Sequence, residues 1–329
     1  MYETAEKIAK AVSAAGGRAY YVGGLVRDRL MGNDSKDVDI EVHGISADKL
    51  RKILEELGKP LETGACFGVF GLRGLGGDAD MAGSTDTDIN LDIALPRTER
   101  KTGDLHTDFE VTIDPFIGTR KASSRRDFTI NAMMQDVLTG EIIDHFGGQD
   151  DLANGIIRHV NSEAFPEDPL RVLRAAQFAA RFDFKVADET MKLCRGIDLS
   201  TLSSERVEWE MQKALLKGKR PSVFFEVLRD KQNLHTWFPE LAALEGAAWR
   251  HAMSALDEAA ELRGRKGECS DSAPDPYPLM LAALLKDVPG ADEFLERIVH
   301  RKKDRKQAVN QMRQETGGQS NVDNFRIIK

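Results

Sequence analysis

Apolar residues recur at every second position in two short stretches of the N-terminal half. In DVDIEV (residues 37–42), Val38 and Ile40 alternate with Asp37 and Asp39. In DINLDIAL (residues 88–95), Ile89, Leu91, Ile93 and Leu95 alternate with Asp88, Asn90 and Asp92. This period of two predicts strands with one apolar face and one acidic face. RAYYV and FGVFGLRG predict two more strands, and TINAMMQDV and EIID form a further hairpin around a Thr-Gly turn. Helices are expected over residues 3–15, over GLVRDRLMG closed by Gly32, and over SADKLRKILEELG, which opens on a Ser cap and ends at a Gly. Gly74 to Thr87 reads as a long hairpin connection. Pro96 to Thr119 is polar and aperiodic and reads as a long loop of functional type.

Beyond about Asp150 the pattern changes to successive amphipathic helices: PLRVLRAAQFAARF, DETMKLCRGI, SSERVEWEMQKALLKG, PSVFFEVLRD, HAMSALDEAAELR and YPLMLAALLKD. Arg263 to Pro278 is a loop by composition. The expected fold is α+β: a head with a small mixed sheet over residues 1–150, a helical region over 151–245 and a helical tail over 246–329.

Composition narrows the class. The 329 residues are 41% hydrophobic and 30% charged, as in ordinary globular chains. No apolar run approaches the ~18 residues of a membrane span, and MYETAEKIAK has no signal-type apolar core. Three distant cysteines, Cys66, Cys194 and Cys269, suggest a reducing, cytoplasmic setting rather than a disulfide framework. The net charge of -8 argues against wholesale coating of nucleic acid. Local basic clusters remain at Arg120–Arg126, Lys217–Arg220 and Arg301–Lys306, and any of them can equally be a solvated face.

Asp37 and Asp39 share one side of their strand, and like charges this close are costly unless a cation lies between them. A hard divalent ion suits such a pair; a solvated acidic face on an edge strand suits it as well. The surroundings favour the ion. Gly23 and Gly24 stand at a strand-to-helix junction, where backbone N–H groups can approach a phosphate. Arg27 follows on the first helical turn, within reach of the same phosphates or paired with Asp28 at the surface. If the two acidic strands are neighbours, Asp92 completes a three-carboxylate cluster able to hold two metal ions. The chemistry is then nucleotidyl transfer, with a 3′-hydroxyl attacking the α-phosphate of a nucleoside triphosphate.

The series GGLVRD, KDVDIEV, RRDFTINAMMQD, IIDHFGGQDDLANGIIRHV, EDPLRVLRAAQFAARF and SSERVEWEMQKAL, in that order over residues 20–240, resembles the motifs of class II tRNA nucleotidyltransferases and bacterial poly(A) polymerases. The resemblance implies a polymerase-β-like nucleotidyltransferase head followed by helical neck, body and tail. It implies Mg2+ as cofactor, CTP and ATP as substrates and the tRNA 3′ end as acceptor. Gly24, Arg27 and Arg126 match nucleotide-contacting positions, Asp37 and Asp39 match metal ligands, and Asp92 falls near a third acidic position. Asp168 and Arg171 match the pair that reads the base in place of a template. A carboxylate accepts from the exocyclic amino group of C or A, and an arginine donates to a ring nitrogen, whereas U and G oppose both bonds. Asp168 before Pro169 also suits a helix cap.

Arg171 and Arg174 fall at helical spacing; such a stripe is often only solvated, and opposite an acidic cluster it suits a triphosphate. Gln177 stands where the family commonly has arginine. Glu210 and Lys213 lie on a helix that the resemblance makes a brace under the nucleotide pocket. The tail resembles an HD-domain helix pair, but Lys286 stands before Asp287 where phosphohydrolase relatives have histidine. With only His251 and Asp287 left, no phosphohydrolase is expected. The leading reading is C and A addition to tRNA. Alternatives are a poly(A) polymerase, a partial (CC- or A-adding) enzyme, an HD-type phosphohydrolase and an inactive RNA-binding protein.

Overall fold

A computed structural model describes residues 1–33, 37–64, 69–73, 91–101, 109–229, 233–264 and 275–315. It divides into two compact units: residues 1–154 with 158–165, and residues 155–157 with 166–329.

The first unit contains α1 (Tyr2–Ala14), β1 (Arg18–Val22), α2 (Gly24–Leu30), β2 (Val38–His43), α3 (Ala47–Leu57), β3 (Lys59–Gly64), β4 (Val69–Arg73), β5 (Leu91–Ala94), β6 (Arg97–Lys101), β7 (Phe109–Ile113), α4 (Thr119–Ser124), β8 (Met134–Asp136), β9 (Ile142–Ile143) and α5 (Gly148–Ala153). Seven strands form one mixed sheet in the order β3-β4-β5-β2-β1-β8-β9. Within it β2 and β5 run parallel, and the other neighbours run antiparallel.

Alternation fixes which face is which. Val38, Ile40 and Val42 of β2 and Leu91 and Ile93 of β5 join Ile8 and Val12 of α1 and Leu50 and Leu54 of α3 in one core cluster. Each such buried side chain contributes ~1.5–3 kcal/mol, so a one-residue slip that exposed them would be prohibitive. The same restraint sends Asp39, Glu41 and His43 to the opposite face. There Tyr20, Val22 and Met134 pack under Ala122 of α4.

Several local expectations change. The stretch from Pro96 to Thr119 is not a plain loop, because β6 and β7 pair in a two-stranded ribbon from Arg97↔Ile113 to Lys101↔Phe109. Its first strand, RTERK, is polar throughout, and the second offers only Phe109, Val111 and Ile113 in alternation within a polar surround. Thr129–Asn131 is a 3-10 turn rather than strand. Thr129 Oγ1 donates to Asp151 at 2.7 Å, and Asn131 is tied by its side chain to Arg27 and Asp127, local bonds that compete with a ladder. The region 263–278 is helical at both ends. Cys66, Cys269, Gly74–Thr87, Asp88, Ile89 and Asn90 lie outside the described residues.

The second unit holds β10 (Ile156–Ile157), α6 (Leu170–Phe182), β11 (Lys185–Val186), α7 (Asp188–Cys194), α8 (Ser204–Lys217), α9 (Ser222–Arg229), α10 (Asn233–Trp237), α11 (Pro239–Ala242), α12 (Gly246–Gly264), α13 (Pro276–Leu285), α14 (Ala291–Ile298) and α15 (Lys302–Glu315). Among its described residues it is helical apart from the parallel pairing of β10 with β11. Asp275 caps α13 by accepting from Tyr277 N at 3.0 Å, with Pro276 in the first turn. No helix among the described residues is long and apolar enough to cross a membrane.

Candidate active site

The head site is built on the face of the sheet opposite α1 and α3. Parallel pairing sets Asp39 of β2 beside Asp92 of β5 in register, and both are exposed. Asp37, exposed, lies one residue before β2. The protein packed around Asp39 pushes its carboxyl above the ordinary range, and the negative charges of Asp92 and Asp37 push the same way. Arg126 opposes them. The three predicted carboxylates are therefore electrostatic neighbours, and the two acidic strands do adjoin. Among the described residues no three His, Cys, Asp or Glu side chains are gathered closely enough to hold a metal ion between them. The donor set nevertheless suits a hard divalent ion: carboxylate oxygens alone, mutually repelling, on a solvent-facing surface.

Gly23 and Gly24 sit where expected, between β1 and α2. Gly23 has φ 68°, in the left-handed region, and a Cβ there would lie 3.1 Å from Arg126 Nη1. The glycine thus makes room for the guanidinium that faces Asp39. A Cβ on Gly24 would lie 3.2 Å from Arg27 Nη2. Arg27 is 3% exposed, so the surface alternative is excluded. Its Nε and Nη2 donate to Asp28 Oδ1 at 2.9 and 2.7 Å, and its Nη1 donates to Asn131 Oδ1 at 2.5 Å. Arg27 thereby ties α2 to the turn within the RRDFTINA run, and Asn131 Nδ2 donates onward to Asp127 at 3.1 Å.

The sequence alone does not single out Glu41 and His43, although they continue the alternation that begins at Asp37. Glu41 is 1% exposed. It is bonded to His43 Nε2 at 2.9 Å and faces Arg125 Nη2 at 3.4 Å and Arg126 Nη2 at 3.6 Å. Burial alone would raise its carboxyl; the His43 bond and the two guanidiniums outweigh burial and hold it down at about 2.

In the second unit, Asp168 Oδ1 accepts from Leu170 N at 3.1 Å, as a helix cap does. The same carboxylate accepts from Arg206 Nη2 at 3.2 and 3.4 Å. Arg171 and Arg174 follow on α6, each partly exposed, with Arg174 over the Phe178 ring at 5.2 Å. Glu210 of α8, 1% exposed, accepts from Lys213 at 2.9 Å and lies 3.9 Å from Arg174 Nη1. This contact links α8 to the arginine row of α6. Gln177 is buried at 2% exposure, on the side of α6 packed into the unit. His251 and Asp287 meet at 3.2 Å, both largely exposed, beside Lys286 in a cavity of about 50 Å3.

A mixed sheet that presents paired aspartates beside a glycine turn and an arginine defines a nucleotidyltransferase head of polymerase-β type. Residues 19–158 match the poly A polymerase head domain. The chain is 39% identical over 258 residues to the multifunctional CCA protein of Laribacter hongkongensis, covering 74% of this chain and 58% of that protein. It is 40% identical over 260 residues to the multifunctional CCA protein of Pseudoalteromonas atlantica, covering 73% and 58%. The chain thus spans less than two thirds of these relatives. Among solved structures, a tRNA nucleotidyltransferase complexed with a primer tRNA and an incoming ATP analog superposes with a TM-score of 0.69 at 26% identity, covering 97% of this chain and 90% of that one. A CCA-adding enzyme in complex with ATP gives 0.64 at 26% identity, covering 94% and 68%. The resemblance read from the motifs therefore holds in domain sequence and in fold. Nucleotidyltransferases of this family generally use divalent metal ions.

Proposed function

We propose that this chain is a template-independent, cytoplasmic tRNA nucleotidyltransferase that adds C and A residues to tRNA 3′ ends from CTP and ATP. The observation that carries the reading is the in-register pairing of Asp39 with Asp92, with Asp37 beside them and Arg126 opposite. The relatives named for CCA and the solved complexes with tRNA and ATP supply the substrate class.

Asp37 and Asp39 would hold Mg2+, with Asp92 completing the acidic cluster. When bound, the metal activates the attacking 3′-hydroxyl and neutralises charge on the reacting phosphate. The chain's own groups do the rest. Gly23 and Gly24 let the triphosphate approach the backbone at the start of α2, and Arg126 offers it charge-assisted hydrogen bonds. Arg27 keeps that turn in shape through Asp28 and Asn131 rather than by contacting solvent-borne ligand. In the second unit Asp168 and Arg171 select the base and Arg174 adds positive charge for the triphosphate.

The deciding experiment supplies tRNA transcripts ending at the discriminator base, at C and at CC. Each is incubated with CTP, with ATP or with both, and products are sized to one nucleotide. Extension to CCA and no further supports the proposal. Long A tracts from ATP alone identify a poly(A) polymerase, C-only or A-only products a partial enzyme, and no extension with any nucleotide refutes the activity.

A further inference from the structure

We propose that Glu41 is the positioning residue of the head site: its buried carboxylate, bonded to His43, holds the guanidiniums of Arg125 and Arg126 so that Arg126 is presented to a nucleoside triphosphate at Asp39. The inference rests on the nucleotidyl-transfer reading and adds to it a residue that the reading does not use.

A carboxylate withdrawn from water is expensive unless fully paired, and Glu41 is 1% exposed on the face where Asp39, two residues earlier, is open. Val38, Ile40 and Val42 secure the strand from the other face, so an apolar residue at position 41 would pack there at no electrostatic cost. What occupies the position instead is a negative charge with three cationic or proton-bearing neighbours, His43 at 2.9 Å, Arg125 at 3.4 Å and Arg126 at 3.6 Å.

The direction of the contacts matters. Arg126 meets Glu41 through Nη2, while its Nη1 stands over the bare face of Gly23. A guanidinium carries five donors, and those of Arg27 go to Asp28 and Asn131. Arg126 Nε is buried, with no hydrogen-bond partner among the described residues. Arg126 is thus anchored at one nitrogen beside the aspartate cluster, and Nη1, over Gly23, is the donor it turns to an anionic ligand. His43 fixes the opposite oxygen, Oε1, so the carboxylate cannot swing away with the arginines. Its ring is seated edge-on against Tyr20 at 5.3 Å. The result is an arginine pre-organised before substrate arrives, which lowers the ordering cost of binding.

The test combines a spectroscopic measurement with a kinetic cycle. In 15N NMR of the full chain, held guanidiniums show slowed Nη rotation. Arg125 and Arg126 should do so in the wild type and lose it in Glu41→Gln. In extension assays Glu41→Gln should raise KM for ATP and CTP by about tenfold with kcat within about threefold, the pattern of lost binding. In an Arg126→Ala background the same substitution should change KM by less than about twofold, because coupled residues are not additive. If Glu41→Gln fails to fold, Glu41→Asp, which keeps the charge but shortens its reach, is carried through the same cycle. The proposal is overturned if the wild-type guanidiniums rotate freely, or if the effects of Glu41→Gln and Arg126→Ala on KM multiply. A wild-type chain that extends no RNA refutes the activity and leaves the NMR measurement to decide the role of Glu41.

Discussion

Asp39 of β2 and Asp92 of β5 are register partners across the one parallel strand pairing described in the main sheet. Their mutual repulsion, added to the burial around Asp39, raises the Asp39 carboxyl. For an acid, a raised value in the folded state means that ionisation opposes folding. Stability is then highest below the ordinary carboxylate range and falls as pH climbs through the raised value.

Asp39→Asn should accordingly raise the thermal midpoint at pH 7 in EDTA while abolishing nucleotide addition, with tRNA still bound. Divalent cation should raise the wild-type midpoint by mass action and leave the variant nearly unmoved. Thermal melts of both proteins with EDTA and with millimolar Mg2+ give the comparison. A variant less stable than wild type in EDTA would mean that the carboxylates are not in conflict.

Glu41 has the opposite sign. Its carboxyl is held at about 2, against an ordinary value of 4.5, so its stabilisation is complete above pH 4.5 and is lost as pH falls toward 2. Glu41→Gln should cost roughly 3 kcal/mol at pH 7, since each tenfold change in proton affinity on folding is worth about 1.4 kcal/mol. The gap between the two proteins should close between pH 4.5 and 2. Urea unfolding at a series of pH values measures it, and a gap that does not change with pH would place the contribution in packing rather than charge.

Arg27 is the third case. It is buried, and its guanidinium bonds to Asp28 and Asn131 stay within the head. Arg27→Met should destabilise the head by ~3–5 kcal/mol, because it leaves buried partners uncompensated. Arg126→Met, at a more exposed site, should cost less stability and more nucleotide affinity. Denaturant midpoints and nucleotide titrations of the two variants separate a structural arginine from a ligand-binding one.

Much of this site is legible because it obeys a period of two. Asp37 and Asp39 fall on one face by alternation, and Asp92 falls on the acidic face of its own strand; the pairing of β2 with β5, which joins the three, comes from the fold. Gly23 is legible as a turn, but the reason for a missing side chain there, the guanidinium of Arg126 far along the chain, is not. Glu41 is hidden for a related reason. A carboxylate next in an acidic alternation reads as another solvated charge, and only the fold brings Arg125 and Arg126 over it. The ribbon of β6 and β7 escapes detection because β6 is polar throughout and β7 offers only three alternating apolar residues, Phe109, Val111 and Ile113. α15 escapes because the run of charge Arg301–Lys306 masks its apolar period, and α14 because its eight residues give only about two turns of pattern.

Asp168 allows two functions to be pulled apart. Its Oδ1 accepts from Leu170 N at the start of α6, and its carboxylate is paired with Arg206 at 28% exposure on both sides. If it is only a cap, replacing it costs ~1 kcal/mol of helix stability and nothing else. If it also reads the base, its loss removes the acceptor that distinguishes an exocyclic amino group from a carbonyl, and discrimination against UTP should fall more than the rate of CTP or ATP addition. Asp168→Ala should therefore lower the thermal midpoint by about 2–4 °C and admit UTP. Arg206→Ala leaves the cap in place but frees the carboxylate, and should loosen base choice with a smaller change in midpoint. Single-nucleotide extension with CTP, ATP and UTP, run beside thermal melts of both variants, separates the cases. UTP excluded as strictly by Asp168→Ala as by the wild type would leave Asp168 a helix cap and move base selection elsewhere.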